Sequence, residues 1–240
     1  MVNQNIGVFR GTTLIQQYGS IGGARSVFVP TKGLKNQLVY PLLGGQIKNP
    51  FKGVPAKIFA GNLMEFRTNP NGVSPEVYIL KTYKVAKETS TLNTVTIERD
   101  GYSHVPFVGD VIGKAPETIG GTITELTVTA VKPTVGEKNA PVWELTLSTT
   151  ATFAKGDVLV EGDGEGNMLV KEINAFADSD ADFLYEPATG DEDFDGARYM
   201  YTPAIGGAII FVSKMQALPK CVLDKNVSRF NGWYQLPSIG

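Results

Sequence analysis

The residues best placed to do chemistry are the eight carboxylates Asp178, Asp180, Asp182, Glu186, Asp191, Glu192, Asp193 and Asp195, a stretch without Lys or Arg. Asp191-Glu192-Asp193-Phe194-Asp195-Gly196 reproduces the first half of a calcium loop, where oxygens at alternate positions and a turning Gly wrap a hard cation. The bidentate Glu that completes such a loop is missing, because Thr202 stands at the twelfth position. The plainer reading is a solvated acidic loop, or one that pairs with Arg198 or a neighbour's basic segment. Calcium held by Asp191, Asp193 and Asp195 is the metal alternative. A carboxylate pair would also serve glycoside hydrolysis, but acid-rich loops supply such pairs by accident.

His104 is the single histidine and Cys221 the single cysteine, so a Ser-His-Asp or Cys-His mechanism has to run through them. A loop histidine bonded to backbone is the plainer reading of His104, and one His with one Cys does not make a zinc site. The loop Gly162–Gly166 (GDGEG) would repel phosphate through its own carboxylates, and there is no G-x-x-x-x-G-K-[ST] motif. These residues lead us to expect neither an enzyme nor a cofactor.

The elements that position these residues read as strands. Ala56–Phe66 (AKIFAGNLMEF) holds a Gly-Asn turn, Glu76–Val85 (EVYILKTYKV) is β-branched and aromatic, and Thr94–Arg99 (TVTIER) alternates. Thr122–Lys132 and Val142–Ser148 predict a hairpin joined by the polar stretch Pro133–Pro141. Asp157–Glu161 and Met168–Ile173 predict a second one around the Gly162–Gly166 loop. Asp182–Tyr185 and Gly207–Met215 give the last strands. Short strands separated by turn signals predict an all-β fold, a compact sandwich or barrel-like domain. On the strand Val142–Ser148, Trp143 is expected to pack half-buried rather than to stack on a sugar.

The first 64 residues contain no Asp or Glu. They do contain Arg10, Arg25, Lys32, Lys35, Lys48, Lys52 and Lys57, a charge of +7 that leaves −9 on the rest. This stretch is rich in Gly and Pro and lacks both the 3.6-residue stripe of a helix and the alternation of a long hairpin. It is expected to be an extended arm that orders on a partner. The division that follows is a basic arm over residues 1–57, an all-β core over 58–217 and a short extended C-terminal tail over 218–240. By residue type, Phe9, Tyr18, Phe28, Tyr40 and Phe51 are the arm's expected anchors, Arg10, Arg25, Lys32 and Lys35 its charges, and Trp233 the tail's anchor.

The arm's charge is too dilute for a nucleic-acid tail, so no nucleic-acid partner is expected. No run of 18 apolar residues is present, so no membrane span is expected, and Met1–Asn5 begins no signal peptide. A lone cysteine fits assembly in a reducing cytoplasm.

Four blocks together resemble the head-fibre or auxiliary capsid proteins of tailed bacteriophages of Bacteroides-type hosts, including crAss-like phages. They are Ala56–Phe66, Arg99–Asp110 (RDGYSHVPFVGD), Asp182–Tyr201 (DFLYEPATGDEDFDGARYMY) and Lys220–Tyr234 (KCVLDKNVSRFNGWY). The resemblance implies a non-enzymatic virion protein, made in the host cytoplasm and mounted on the capsid exterior. Its partners would be the major capsid protein and neighbouring copies of itself, in a homo-oligomer. A glycan-binding β-sandwich, a hydrolase using an acidic pair, and a tail or connector protein are the rival expectations.

Overall fold

The computed structural model describes residues 40–42, 47–49, 56–59, 61–67, 76–99, 104–177, 181–183, 202–205, 209–210, 216–229 and 234–235. The strands in chain order are β1 (Tyr40–Leu42), β2 (Ala56–Ile58), β3 (Leu63–Arg67), β4 (Glu76–Ile79) and β5 (Thr82–Lys84). They continue with β6 (Thr89–Glu98), β7 (Val111–Lys114), β8 (Leu126–Val135), β9 (Pro141–Phe153) and β10 (Val158–Glu161). The last are β11 (Ala175–Ala177), β12 (Ala181–Phe183), β13 (Thr202–Ile205), β14 (Ile209–Ile210) and β15 (Tyr234–Gln235). The fold is all-β, as expected, with two main antiparallel sheets. One helix, α1 (Lys220–Arg229), stands where an extended tail was expected. Pro219 starts this helix rather than breaking the chain: its carbonyl accepts the N–H of Val222 at 3.0 Å and of Leu223 at 3.1 Å.

The chain divides into two compact units: Met1–Ile79, Ile173–Met215 and Asn226–Gly240 form the first, Leu80–Glu172 and Gln216–Lys225 the second. The apolar run Glu76–Val85, which reads as one strand, is cut at Leu80–Lys81. Its first half is β4 of the first unit and its second half β5 of the second.

In the first unit the sheet order is β1-β13-β11-β3-β4. Ile47 pairs in parallel with Val77 on the outer edge of β4, while Tyr40–Leu42 pair with β13 at the opposite edge. Five strand spacings of a flat sheet would separate those edges by roughly 24 Å. The chain from Leu42 to Ile47 reaches at most about 18 Å. The sheet is therefore curled, with Tyr40–Leu42 at one of its edges and Ile47 at the other. Inside the curl pack Ile47, Ile58, Met64, Val77, Ile79, Ala175 and Ala177, with Phe66 against them. Two asparagines stand in for missing strand partners. Asn49 gives its amide to the carbonyl of Ile79 and accepts that residue's N–H, both at 2.8 Å. Asn174 does the same for Phe66, at 3.0 and 2.8 Å.

In the second unit the order is β5-β10-β7-β8-β9-β6. Val85, next after β5, pairs antiparallel with Ile97, and Ala86 N–H donates to Thr96 O at 2.8 Å. The last strand thus returns to the first and the sheet closes into a six-stranded barrel. A barrel this narrow has room only for side chains. It is filled by Tyr83, Val95, Ile97, Ile112, Leu126, Val128, Leu145, Leu147 and Leu159, all buried. The expected β8–β9 hairpin is present with a shorter turn, because both prolines assigned to the turn lie in strands. Pro133 stands opposite Trp143 and Pro141 opposite Val135. These pairs are two residues apart in register, so they belong to the set whose N–H groups point away from the partner strand.

Candidate functional site

His104, Lys81, Glu161, Tyr83 and Asp110 of the barrel unit are engaged internally. His104 is buried, and its Nδ1 accepts the N–H of Thr82 at 2.9 Å, matching the plainer reading from sequence. The Lys81 ammonium lies 3.1 Å from Glu161 Oε1, with the two side chains 3% and 16% exposed. Tyr83 is fully buried and its hydroxyl points to Asp110 Oδ2 at 3.4 Å, while that oxygen accepts the N–H of Phe107 at 2.8 Å. Burial pushes the Tyr83 phenol well above its usual range, and the charges of Asp110 and Glu161 push the same way. Cys221 is buried in the first turn of α1, and burial raises its thiol, which makes it a poor nucleophile at neutral pH.

The glycine loop spends Asp163 on its own backbone and takes a second carboxylate, Glu125, from outside the loop. Asp163 Oδ1 accepts the N–H of Glu165 at 2.9 Å and of Asn167 at 3.1 Å, and Glu125 Oε1 accepts that of Gly164 at 2.8 Å. Burial works to raise the Asp163 carboxyl, but these N–H groups and Lys171 outweigh it and hold it below the usual carboxylate range. Trp143 is more deeply buried than expected, with the Arg99 guanidinium 4.4 Å from its ring centre.

Among the described residues, an open groove of about 690 Å³ lies on the barrel. It forms where β8 and β9 part. Val128 faces Leu147, and β9 then advances from Thr146 to Ala151 while β6 retreats only from Thr94 to Leu92. Ser148, Thr149 and Thr150 are therefore exposed with no ladder partner on either side among the described residues. Hydroxyls patch the gap: Ser148 Oγ accepts the N–H of Thr127 and Thr152 Oγ1 that of Thr91, both at 3.1 Å. Thr91 is held at φ 51°, a left-handed conformation costing a β-branched residue on the order of 1–2 kcal/mol. Thr118, Thr122, Thr124, Thr149, Thr150 and Thr152 line the groove. So does Lys114, tied to Asp157 at 2.9 Å, while Glu117 is exposed at the rim. Among the described residues the groups with displaced acidity, Arg67, Tyr78, Tyr83, Asp163, Lys220 and Cys221, do not line it.

Sequence reasoning missed this groove. The available signal was Ser148-Thr149-Thr150-Ala151-Thr152, where the apolar alternation of Leu145 and Leu147 stops while strand-forming residues continue. Asp191, Asp193 and Asp195 lie outside the described residues, as do Phe9, Arg10, Tyr18, Arg25, Phe28, Lys32, Lys35, Phe51 and Trp233. Tyr40 is described: it opens β1 opposite Ala204 of the chain's own sheet. Among the described residues no cluster of three or more His, Cys, Asp or Glu is placed to hold a metal, and no helix is long and apolar enough to cross a membrane. No known protein family, curated protein or solved structure matches the chain.

Proposed function

We propose that the chain is a non-enzymatic structural protein of a virion, decorating the outside of a phage capsid and anchored to the major capsid protein through the part of its N-terminal arm that precedes Tyr40. The observation that carries this reading is the acid-free arm: residues 1–39 hold Arg10, Arg25, Lys32 and Lys35 with no carboxylate, and lead directly into an edge strand of a curled sheet. Apolar and basic residues spread along such a segment suit the seams between capsid subunits, where large contact area offsets the entropy of ordering. Repetition over the shell adds avidity. The glycan-binding alternative ranks second, because the barrel's Trp143 is buried beneath Arg99 rather than offered as a stacking platform.

The test is co-sedimentation of the full chain with shells assembled from the major capsid protein of the encoding phage. Saturable binding that weakens when Arg10, Arg25, Lys32 and Lys35 are changed to Ala is the expected result. Binding unaffected by those changes removes the arm from the anchor, and no binding to any shell removes the capsid reading.

A further inference from the structure

The barrel has two open strand edges, and they are treated differently. The outer edge of β8 from Thr129 to Val135 has no strand partner among the described residues, and it carries Lys132 and Pro133. A charge and a proline are the usual devices that stop one exposed edge from pairing with another. The second edge is the side of β9 turned away from β6 over Ser148–Thr152, beside the groove; on its other side Ala151 pairs with Leu92. It has neither device: no charge, no proline, only hydroxyl residues and Ala151, all compatible with a strand. An unblunted edge recessed in a groove is the arrangement by which an extended peptide adds a strand to a sheet.

We propose that this groove receives one extended strand from the N-terminal segment of a second copy of the chain, and that residues 25–29 (RSVFV) are the strand it takes. A row of unpaired backbone groups calls for alternating N–H and C=O groups, which a polypeptide supplies and a glycan does not. The groove's cation, Lys114, is neutralised by Asp157, and the exposed Glu117 at its rim disfavours an acidic guest. The segment before Tyr40 has no acidic residue. Within it, Ser26-Val27-Phe28-Val29 is the run with the highest strand propensity, framed by Gly22-Gly23 and Pro30 and preceded by Arg25. Fully extended, the ten residues between Val29 and Tyr40 span on the order of 35 Å, which carries the strand beyond the sheet that Tyr40 enters. The inference rests on the reading of this segment as an arm that orders on a partner, and not on that partner being a capsid.

The test uses full-length chains without any shell. Val27→Cys and Thr150→Cys are placed in separate chains, co-expressed and oxidised mildly, and the products are weighed. A disulfide-linked pair joining one chain of each kind is the expected result. It should be absent when Thr134→Cys, on the blunted β8 edge, replaces Thr150→Cys. Failure of the Val27–Thr150 pair to form, or equal yield with Thr134→Cys, overturns the proposal. A single chain carrying both changes that closes on itself at high dilution overturns the choice of a second copy. Because no capsid is present, a failed cross-link beside successful shell binding defeats only this inference, and the reverse pattern defeats only the capsid reading.

Discussion

Replacing Lys81 by Met should be among the most damaging single changes in the barrel unit. Lys81 and Glu161 form a nearly buried pair at 3.1 Å, and Glu161 and Asp110 both act on the buried phenol of Tyr83. Removing the ammonium leaves two carboxylates around one buried hydroxyl with less positive charge to balance them. Breaking one side of a buried pair costs about 3–5 kcal/mol, whereas replacing both partners with apolar residues of similar volume is often nearly neutral. For a unit of about a hundred residues this corresponds to a loss of roughly 15 °C or more in Tm. The assay is guanidinium unfolding followed by Trp143 fluorescence in a Trp233→Phe background, so that the reporter lies in the barrel. Lys81→Met, Glu161→Leu and the double variant make a double-mutant cycle. The expected pattern is a large loss for Lys81→Met, with most of it recovered in the double variant. A single-variant cost below about 1 kcal/mol, or no recovery, would refute the assignment of this pair as a buried, mutually compensating one.

Three further changes test other parts of the fold. Asn49→Ala removes both 2.8 Å bonds to the backbone of Ile79 and should cost about 2–4 kcal/mol in the first unit, with faster amide exchange at Ile79 as the local sign. Gly113→Ala places a Cβ 2.5 Å from the carbonyl of Thr124 and 3.1 Å from Ile123 Cδ1, so a loss of about 1–3 kcal/mol is expected in thermal melts. Tyr83 gives a pH signature. Its folded pKa is raised, so the native state holds the phenolic proton more tightly than the unfolded chain does. The resulting stability is fully present below the unfolded value of about 10 and is lost as pH rises through the higher folded value. The stability difference between the parent chain and Tyr83→Phe should therefore shrink above pH ~10 in denaturant titrations, and a constant difference would count against burial of the phenol.

Strand identity was legible in the sequence wherever one face of the strand is buried. Val95 and Ile97 alternate along β6, and Leu145 and Leu147 along β9, because each second residue enters the barrel. Boundaries set by long-range partners were not legible. Glu76–Val85 reads as one strand because both halves are apolar; only the separate pairing of β4 with β3 and of β5 with β10 divides it. Pro133 and Pro141 suggested a wide turn, since sequence does not reveal which strand positions leave the N–H unused. Pro219 suggested an extended tail where it starts a helix. Lys81 sits inside an apolar run, but its partner Glu161 is 80 residues away in sequence. The groove was hidden because it arises from strands parting, which leaves only a run of hydroxyl residues as its trace.

The division at Leu80–Lys81 also sets an order of events. The strands of the barrel, β5 to β10, all lie between Thr82 and Glu161, so a nascent chain can close it as soon as that stretch has emerged. The curled sheet is discontinuous: β3 waits for β11, and β1 for β13, whose residues are synthesised only after the whole barrel. A barrel that has already closed holds its own two ends, Leu80 and Glu172, within one folded body, shortening the loop that β3 and β11 must close. Maturation of the first unit thus follows closure of the barrel strands, while the second unit is completed only when Gln216–Lys225 have emerged. Lesions such as Gly113→Ala or Lys81→Met should reach the curled sheet through timing, leaving its apolar residues exposed for longer during synthesis.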